Sequence, residues 1–254
     1  MKEKHIECGC KAVREHNPLV HCITNYVAMN MSANSLLAIG ASPLMTFYAN
    51  EMSEVVSKCG ALMVNIGCLD DNQIEGMEAA VKAAKLFGKK WVLDPVGVGM
   101  SQIRNRICKQ LIEIYSPTVV RGNATEILCL ANAEMKQGKI DSSIKSEEAL
   151  EAAKTLAREI GSVVVISGET DYITDGTNVE MVRNGHPMMK SVTGMGCTAS
   201  AIIAAFVSVE ENPLMAARDA MLLMGVAGER AAGKSEGSGS FSSAFIDELY
   251  NLKG

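Results

Sequence analysis

The chain has 254 residues, a formal net charge of −5, 48% hydrophobic residues and 21% charged residues. These proportions are typical of packed globular proteins and exclude disorder over most of the chain. The mildly acidic balance, without long runs of lysine or arginine, argues against general nucleic-acid binding. The longest apolar stretches fall well short of the ~18 residues that a membrane-spanning helix requires. Because the charged N-terminus lacks the apolar segment of a secretion signal, we expect a cytoplasmic protein.

The first half of the chain alternates short apolar runs with helical patterns. We predict strands over residues 19–23, 43–47, 61–66 and 91–93, and helices over residues 26–38, 72–87 and 103–115. Apolar residues recur at helical spacing in the 72–87 segment, and Gly88 follows it as a capping residue. This strand–helix alternation predicts a parallel sheet covered by helices on both faces.

The second half continues this alternation and then departs from it. Further strands are predicted at 118–120, 163–167, 172–174 and 179–182, and further helices at 123–130 and 147–160. Asp175-Gly176 separates the last two strands, which indicates an antiparallel hairpin. After Gly194 the pattern is helical, apart from a loop predicted at 233–243. Residues 1–254 are therefore predicted to form a single α/β domain with a mostly parallel central sheet.

Eight cysteines are present, without a C-x-x-C pair or a secretion signal. They are expected to be reduced thiols that mostly fill core space. Cys8 and Cys10 lie near His5 and His16 in the sequence, which leaves zinc binding as an alternative there. No second ligand pair with zinc-site spacing follows them, and this disfavours a structural zinc.

The residues that close the predicted strands are the first candidates for a ligand site. In an open parallel sheet, ligands bind beyond the carboxyl ends of the strands. The residues at these ends are Asn25, Met45, Gly67, Asp94, Arg121 and Ser167. His21, just before the end of the first strand, is expected to be a hydrogen-bonded structural histidine rather than a base.

Two acids and an arginine at adjacent strand ends favour a site for Mg²⁺ and phosphate. Asp94 precedes a turn rich in proline and glycine, and Arg121 ends the next strand. Asn123 is a plausible helix N-cap, which places Glu126 in the first helical turn, beside the positive end of the helix dipole. Hard cations bind carboxylate oxygens directly or through water. The alternative is that Asp94 and Glu126 are exposed charges at the ends of their elements.

The segment Thr193-Gly194-Met195-Gly196-Cys197-Thr198-Ala199 is the most specific local signal. Two glycines before a helix allow backbone N–H groups to converge on an anion, although a tight turn into a buried helix would use the same residues. Cys197 lies in the first turn of that helix, so its thiol is expected to have a lowered pKa.

A second glycine motif is a misleading one. Residues 228–235 match the Walker A pattern G-x-x-x-x-G-K-S. A true phosphate-binding loop follows a strand and begins a helix, whereas residues 216–227 are helical in pattern. We therefore interpret the segment as a helix end followed by a loop over the nucleotide.

The motifs resemble, in order and spacing, those of the ribokinase-like family of small-molecule kinases. The segments are Asp94-Pro95-Val96-Gly97, Asn123-Ala124-Thr125-Glu126 and Gly194-Met195-Gly196-Cys197. Within that family the chain is similar to the hydroxyethylthiazole kinases of thiamine salvage. This closer similarity involves residues 21–27 (HCITNYV), 41–45 (ASPLM) and 237–241 (GSGSF). The resemblance extends over nearly the whole chain, from Asn17 to Leu249.

On the nucleotide side, the resemblance implies that Asp94 and Glu126 organise Mg²⁺ and its waters. It also implies that Arg121 contacts the phosphates of ATP and that Ser167 contacts the nucleotide. The segment from Gly194 through Gly196 to Cys197 would hold the transferring phosphoryl group and supply the catalytic residues.

On the alcohol side, Met45 would contact the thiazole through its backbone amide, with Asn25 and Gly194 also binding substrate. Ribokinase-like enzymes usually have a carboxylate base at the position of Cys197, whereas kinases for hydroxyethylthiazole commonly have cysteine there. Whether Cys197 acts as a base or only positions the hydroxyl stays open. The resemblance further implies a homotrimer with active sites at the subunit interfaces.

The expected activity is ATP- and Mg²⁺-dependent phosphorylation of the hydroxyl of 4-methyl-5-(2-hydroxyethyl)thiazole. Because phosphoryl transfer depends mainly on positioning and charge neutralisation, these residue types suit the reaction. One alternative is a ribokinase-like kinase for another small alcohol, such as a hydroxymethylpyrimidine. Another is a catalytically silent protein that binds nucleotides or thiamine precursors. Neither nucleic acid nor membrane is expected as a partner.

Overall fold

The computed structural model describes residues 2–131 and 145–252, with side chains from residue 8 onward. Within these ranges one sheet contains eight strands in the order β2-β1-β3-β4-β5-β6-β7-β8. The strands are β1 (Leu19–Ile23), β2 (Ser42–Leu44), β3 (Ala61–Asn65), β4 (Lys90–Asp94), β5 (Val119–Asn123), β6 (Val163–Ser167), β7 (Asp171–Thr174) and β8 (Val179–Val182). Strands β1 to β6 pair in parallel, whereas β7 and β8 pair antiparallel.

Helices cover both faces of the sheet. They are α1 (Lys2–His16), α2 (Met29–Ala38), α3 (Met52–Lys58), α4 (Asp71–Leu86), α5 (Gln102–Tyr115), α6 (Ala124–Ala131), α7 (Leu150–Ile160), α8 (Met195–Val209), α9 (Pro213–Ala232) and α10 (Ser238–Asn251). Helices α1, α2, α8, α9 and α10 contribute to one apolar core, and α3 to α7 contribute to the other. Within the described ranges, no helix has the length and apolarity needed to cross a membrane.

The strands explain why the two cores form. In β3, Met63 belongs to the core on the α8 side, while its neighbours Leu62 and Val64 belong to the opposite core. Side chains alternate between the faces of a sheet, so a strand that is apolar at every position must be covered on both sides. The predicted α/β architecture and the antiparallel hairpin are confirmed. That residues 1–254 form a single domain stays a prediction.

The predicted loop at 233–243 is wrong over most of its length, because α10 begins at Ser238. The Ser240 hydroxyl accepts hydrogen bonds from the backbone N–H groups of Glu236 and Gly237, which fixes the start of the helix. Phe241 and Phe245 are fully buried and anchor the first turns. The Walker-like segment, in contrast, is a helix end as predicted, since α9 continues to Ala232.

The parallel strands place their carboxyl ends at one edge of the sheet. Asn65 and Asp94 are register partners in β3 and β4, and Asn123 and Ser167 are partners in β5 and β6. Helix α8 packs across β1, β3 and β4. The hydrogen bond from the Ser200 side chain to Asp94 places the N-terminal part of α8 at this edge. Asp94 and Ser167, two of the residues predicted at the strand ends, therefore lie at the same edge of the sheet as the start of α8.

Candidate active site

Asp94, at the end of β4, is completely buried. Its Oδ2 accepts hydrogen bonds from Asn65 Nδ2 at 2.9 Å and from the Ser200 hydroxyl at 2.8 Å. The guanidinium of Arg121 lies 3.9 Å from the same oxygen, whereas Oδ1 has no hydrogen-bond partner among the described residues. Burial raises the pKa of Asp94 to about 6, against the opposing effect of Arg121. The interpretation of Asp94 as an exposed terminal charge is wrong.

Glu126 is fixed by the backbone on both sides of its carboxylate. Its Oε2 accepts from the Asn123 N–H at 2.9 Å, and its Oε1 accepts from the Gly97 N–H at 3.0 Å. The Asn123 side chain in turn accepts from the Glu126 N–H at 2.9 Å, which confirms Asn123 as the predicted N-cap. The negative charge of Glu126 contributes to the raised pKa of Asp94, so the two carboxylates are close enough to interact electrostatically.

Arg121 lies between the strand ends and the start of α8. Its Nη2 donates to the Ser167 hydroxyl at 2.5 Å, and its side chain is only 12% exposed. A Cβ atom at Gly196 would lie 2.6 Å from Arg121 Nη1, so only glycine allows the guanidinium to approach this helix so closely. Arg121, Ser167, Asp94 and Gly196 therefore form one cluster.

The turn into α8 depends on Gly194, which has a φ of 83° in the left-handed region and packs against Ala28. Helix α8 begins at the next residue, and the Arg121 guanidinium approaches its first turn at Gly196. Such an arrangement of backbone donors and a cation favours an anion.

The prediction of a lowered thiol pKa at Cys197 is wrong. Burial raises the pKa of this thiol to about 11, and the Asp94 charge adds to the effect. The side-chain amide of Asn25 donates to the sulfur at 3.1 Å. Desolvation outweighs the helix dipole here, so the thiol is neutral at physiological pH.

The groups around the ends of β1 and β2 are neutral. Asn25 Oδ1 accepts from the Ala28 N–H at 3.0 Å, which holds the turn after β1. His21 is buried and its Nε2 lies 2.9 Å from the Thr46 carbonyl oxygen. Burial lowers the pKa of His21, so the expected structural histidine is confirmed. Met45, just beyond β2, is half-buried and packs against the core on the α8 side.

A cavity of about 810 Å³ opens beside the Arg121 cluster. Its floor includes Arg121, Ser167, Gly194 and Gly196, and its wall includes residues 183–192 and α9. The wall lies close to α9 because a Cβ at Gly228 would be 2.5 Å from the sulfur of Met189. The volume is in the range of small-molecule and cofactor sites.

Three residues of the site escaped the sequence prediction. Asn65 and Ser200 hold Asp94, and Asp171 lines the cavity with a pKa that burial raises to about 6. Asn65 is a polar residue at the end of an otherwise apolar strand, and Ser200 interrupts an apolar helix, so both leave a signal in the sequence. Asp171 is masked by the hairpin pattern around it.

The described residues contain no group of three or more His, Cys, Asp or Glu side chains arranged to hold a metal ion. Cys8 is exposed and Cys10 is buried, and the side chain of His5 lies outside the described part. All eight cysteines are free thiols, as expected, and Cys10, Cys22, Cys59 and Cys108 are buried.

Comparisons with known proteins show which family the chain resembles over its length. The model of the hydroxyethylthiazole kinase family matches residues 10–254. The hydroxyethylthiazole kinase of Leptospira biflexa is 49% identical over 94% of this chain and 90% of its own length. That of Brachyspira hyodysenteriae is 50% identical over 98% of this chain and 94% of its own length. The structure of a hydroxyethylthiazole kinase protein from Pyrococcus horikoshii has a TM-score of 0.91 and 37% identity, covering 99% and 94% of the two chains.

Proposed function

This chain belongs to the hydroxyethylthiazole kinase family, and on that premise we propose that it transfers a phosphoryl group from ATP to the hydroxyl of 4-methyl-5-(2-hydroxyethyl)thiazole at the site just described. The observation that supports this site most directly is the cluster of Asp94, Arg121 and the glycine-lined start of α8 beside a nucleotide-sized cavity. Phosphoryl transfer requires such positioning and charge stabilisation rather than a covalent intermediate.

We assign the phosphate contacts to Arg121 and the N-terminal turn of α8. The guanidinium is held in place by Ser167 and by its approach to Gly196. Fixed donors of this kind stabilise the charge that develops on a transferring phosphoryl group, because they need no reorganisation during the reaction. Ser167 also lines the cavity, which supports its assignment to the nucleotide.

Asp94 and Glu126 fit a site for Mg²⁺. The buried Asp94 Oδ1 has no partner among the described residues, and a cation would satisfy it. Glu126 already binds two backbone N–H groups, so we assign it contact through water. Mg²⁺ commonly keeps several waters and binds one or two carboxylates together with substrate phosphates. When bound, it would neutralise charge on the phosphates.

We assign the substrate hydroxyl to the region between Cys197 and Asn25, with Met45 near the thiazole ring. The neutral thiol of Cys197 is a poor acceptor for the proton of an alcohol. Its role is therefore to position the hydroxyl. Early deprotonation is not required when the transition state is loose.

A homotrimer with shared active sites forms part of the proposal. Tyr26, Val27 and Tyr48 are 56%, 63% and 63% exposed, and they adjoin Asn25 and the segment after Met45. Exposed apolar residues beside a binding site are typical of interaction surfaces. Light scattering after size-exclusion chromatography should give about three times the 27.1 kDa chain mass. A mass equal to that of one chain would contradict the proposed trimer.

Free thiols at all eight cysteines suit a reducing compartment, which supports a cytoplasmic reaction.

A coupled ADP-release assay tests the function. ATP turnover should depend on the thiazole alcohol and on Mg²⁺, and it should be lost when EDTA is added. A preference for a hydroxymethylpyrimidine would replace the substrate assignment. Tight binding of the thiazole without turnover would instead favour a binding protein.

A further inference from the structure

Asn65 is the last residue of β3 and its side chain is completely buried between the two halves of the site. Its Nδ2 donates to Asp94 Oδ2 at 2.9 Å. Its Oδ1 accepts from Asn25 Nδ2 at 3.1 Å and from the Gly67 N–H at 2.8 Å. One amide thus contacts the proposed metal site and the proposed alcohol site.

The surrounding groups permit only one orientation of this amide. Two N–H donors face Oδ1 and a carboxylate oxygen faces Nδ2. If the amide were flipped, its NH₂ group would face the two donors and its oxygen would face the carboxylate. The position of Asn25 consequently depends on the same side chain as the position of Asp94.

The contact continues to the thiol and depends on a glycine. Asn25 Nδ2, which donates to Asn65, also lies 3.1 Å from Cys197 Sγ. A Cβ at Gly67 would lie 2.8 Å from both Asn25 Nδ2 and Asn65 Oδ1. Only glycine at position 67 leaves room for this pair of amides.

We propose that Asn65 is a positioning residue that fixes Asp94 through its Nδ2 and the substrate-binding amide of Asn25 through its Oδ1. The inference rests on the proposed function and assigns to one uncharged side chain the relative placement of the alcohol and metal sites. Ser200 provides the contrast, because it bonds to Asp94 and lacks a bond to Asn25 among the described contacts.

Three variants separate the two connections. Asn65→Ala removes both connections. Ser200→Ala removes the bond to Asp94 and a long 3.5 Å bond to the Gly196 carbonyl, neither of which involves Asn25. Gly67→Ala crowds the pair formed by Asn25 and Asn65. The Kd for the thiazole alcohol is measured by calorimetry without nucleotide or metal. The Mg²⁺ concentration that gives half-maximal velocity is measured with saturating ATP and alcohol. Thermal melting checks that each variant is folded.

Asn65→Ala should raise both quantities by about 10-fold, as expected for lost buried hydrogen bonds. Ser200→Ala should raise only the Mg²⁺ requirement, and Gly67→Ala should raise mainly the Kd for the alcohol. An unchanged thiazole Kd in Asn65→Ala would overturn the proposal. If that variant does not fold, an unchanged Kd in Gly67→Ala would overturn it equally. Absence of thiazole turnover by the unmodified enzyme would instead reject the proposed function.

Discussion

The two halves of the candidate site lie at the same edge of one sheet but use different chemistry. In the half proposed for the alcohol, Asn25, Asn65 and Cys197 are uncharged and satisfy one another by hydrogen bonds. In the half proposed for the nucleotide, Arg121 lies near the buried carboxylates of Asp94 and Asp171, and burial raises the pKa of each carboxylate to about 6.

Under the proposed function, this difference would let one scaffold bind two unlike substrates. Neutral amides that bond to each other are stable when buried, and they suit a neutral alcohol. Buried charges destabilise the protein unless a partner compensates them, and they suit a ligand that carries phosphates. We therefore expect substitutions in the charged half to have larger effects than those in the neutral half.

The largest effect is expected for Arg121→Ala. It removes a fixed cation beside the start of α8, so kcat should fall by about 10²-fold or more while the fold is retained. Steady-state kinetics with varied ATP, together with circular dichroism, measures this. Arg183→Ala is the control, since Arg183 is exposed and lines the outer part of the same cavity. A larger fall in kcat for Arg183→Ala than for Arg121→Ala would contradict the assignment of Arg121 to the charged half of the site.

Asp171→Asn should have an intermediate effect, which we expect in the free energy of unfolding. The folded-state pKa of Asp171 is raised from 3.8 to about 6, so the native state binds its proton more tightly than the unfolded state. The stability lost by ionising this carboxylate therefore grows as the pH rises from about 4 to 6, is complete above pH 6 and is absent below about pH 4. Asn keeps the acceptor for the Gly168 N–H without the charge.

The free energy of unfolding in urea should accordingly rise by roughly 1–3 kcal/mol in Asp171→Asn relative to the unmodified protein at pH 7. The difference should shrink as the pH is lowered to 4. Glu169→Gln, which removes a carboxylate at an exposed position of the same turn, is the matched control. A pH-independent difference would mean that the charge of Asp171 is not responsible.

Cys197→Ala should have the smallest effect. The neutral thiol contributes one weak hydrogen bond, so kcat/KM should fall by about three- to tenfold. The pH–rate profile should show no thiol ionisation below pH 9, because the pKa of Cys197 is raised to about 11. Cys68→Ala, in the loop after Gly67, serves as the control. A loss as large as that in Arg121→Ala would assign the thiol a chemical role and end the distinction between the halves.

Much of the fold could be predicted from the sequence, because short apolar runs and glycine or proline boundaries determine it locally. The strands over 19–23 and 163–167 have the predicted bounds. The start of α10 could not be predicted from composition, because a segment rich in glycine and serine is typical of a loop. The helix starts there because the Ser240 hydroxyl caps it and Phe241 is buried in the core. Helix α1 is absent from the predicted elements, and burial of Cys10 and Val13 on one of its faces holds it to the core.

The candidate site shows the same division. Asp94, Arg121 and the glycines at 194 and 196 could be predicted because strand ends and helix starts have recognisable local sequences. The pKa of Cys197 could not, since it depends on how deeply tertiary packing buries the thiol. The role of Asn65 depends on partners 40 and 29 residues away, at Asn25 and Asp94.

The glycines of α9 have a consequence for how such an enzyme can diversify. Gly225 and Gly228 leave room for the backbone of Asn184 and the side chain of Met189, so the outer wall of the cavity packs closely against this helix. The floor of the cavity is formed by the strand ends and α8. Exchanging small residues along α9 would therefore reshape the outer wall and leave the Arg121 cluster in place, so the width of the cavity and the geometry of its floor can change independently.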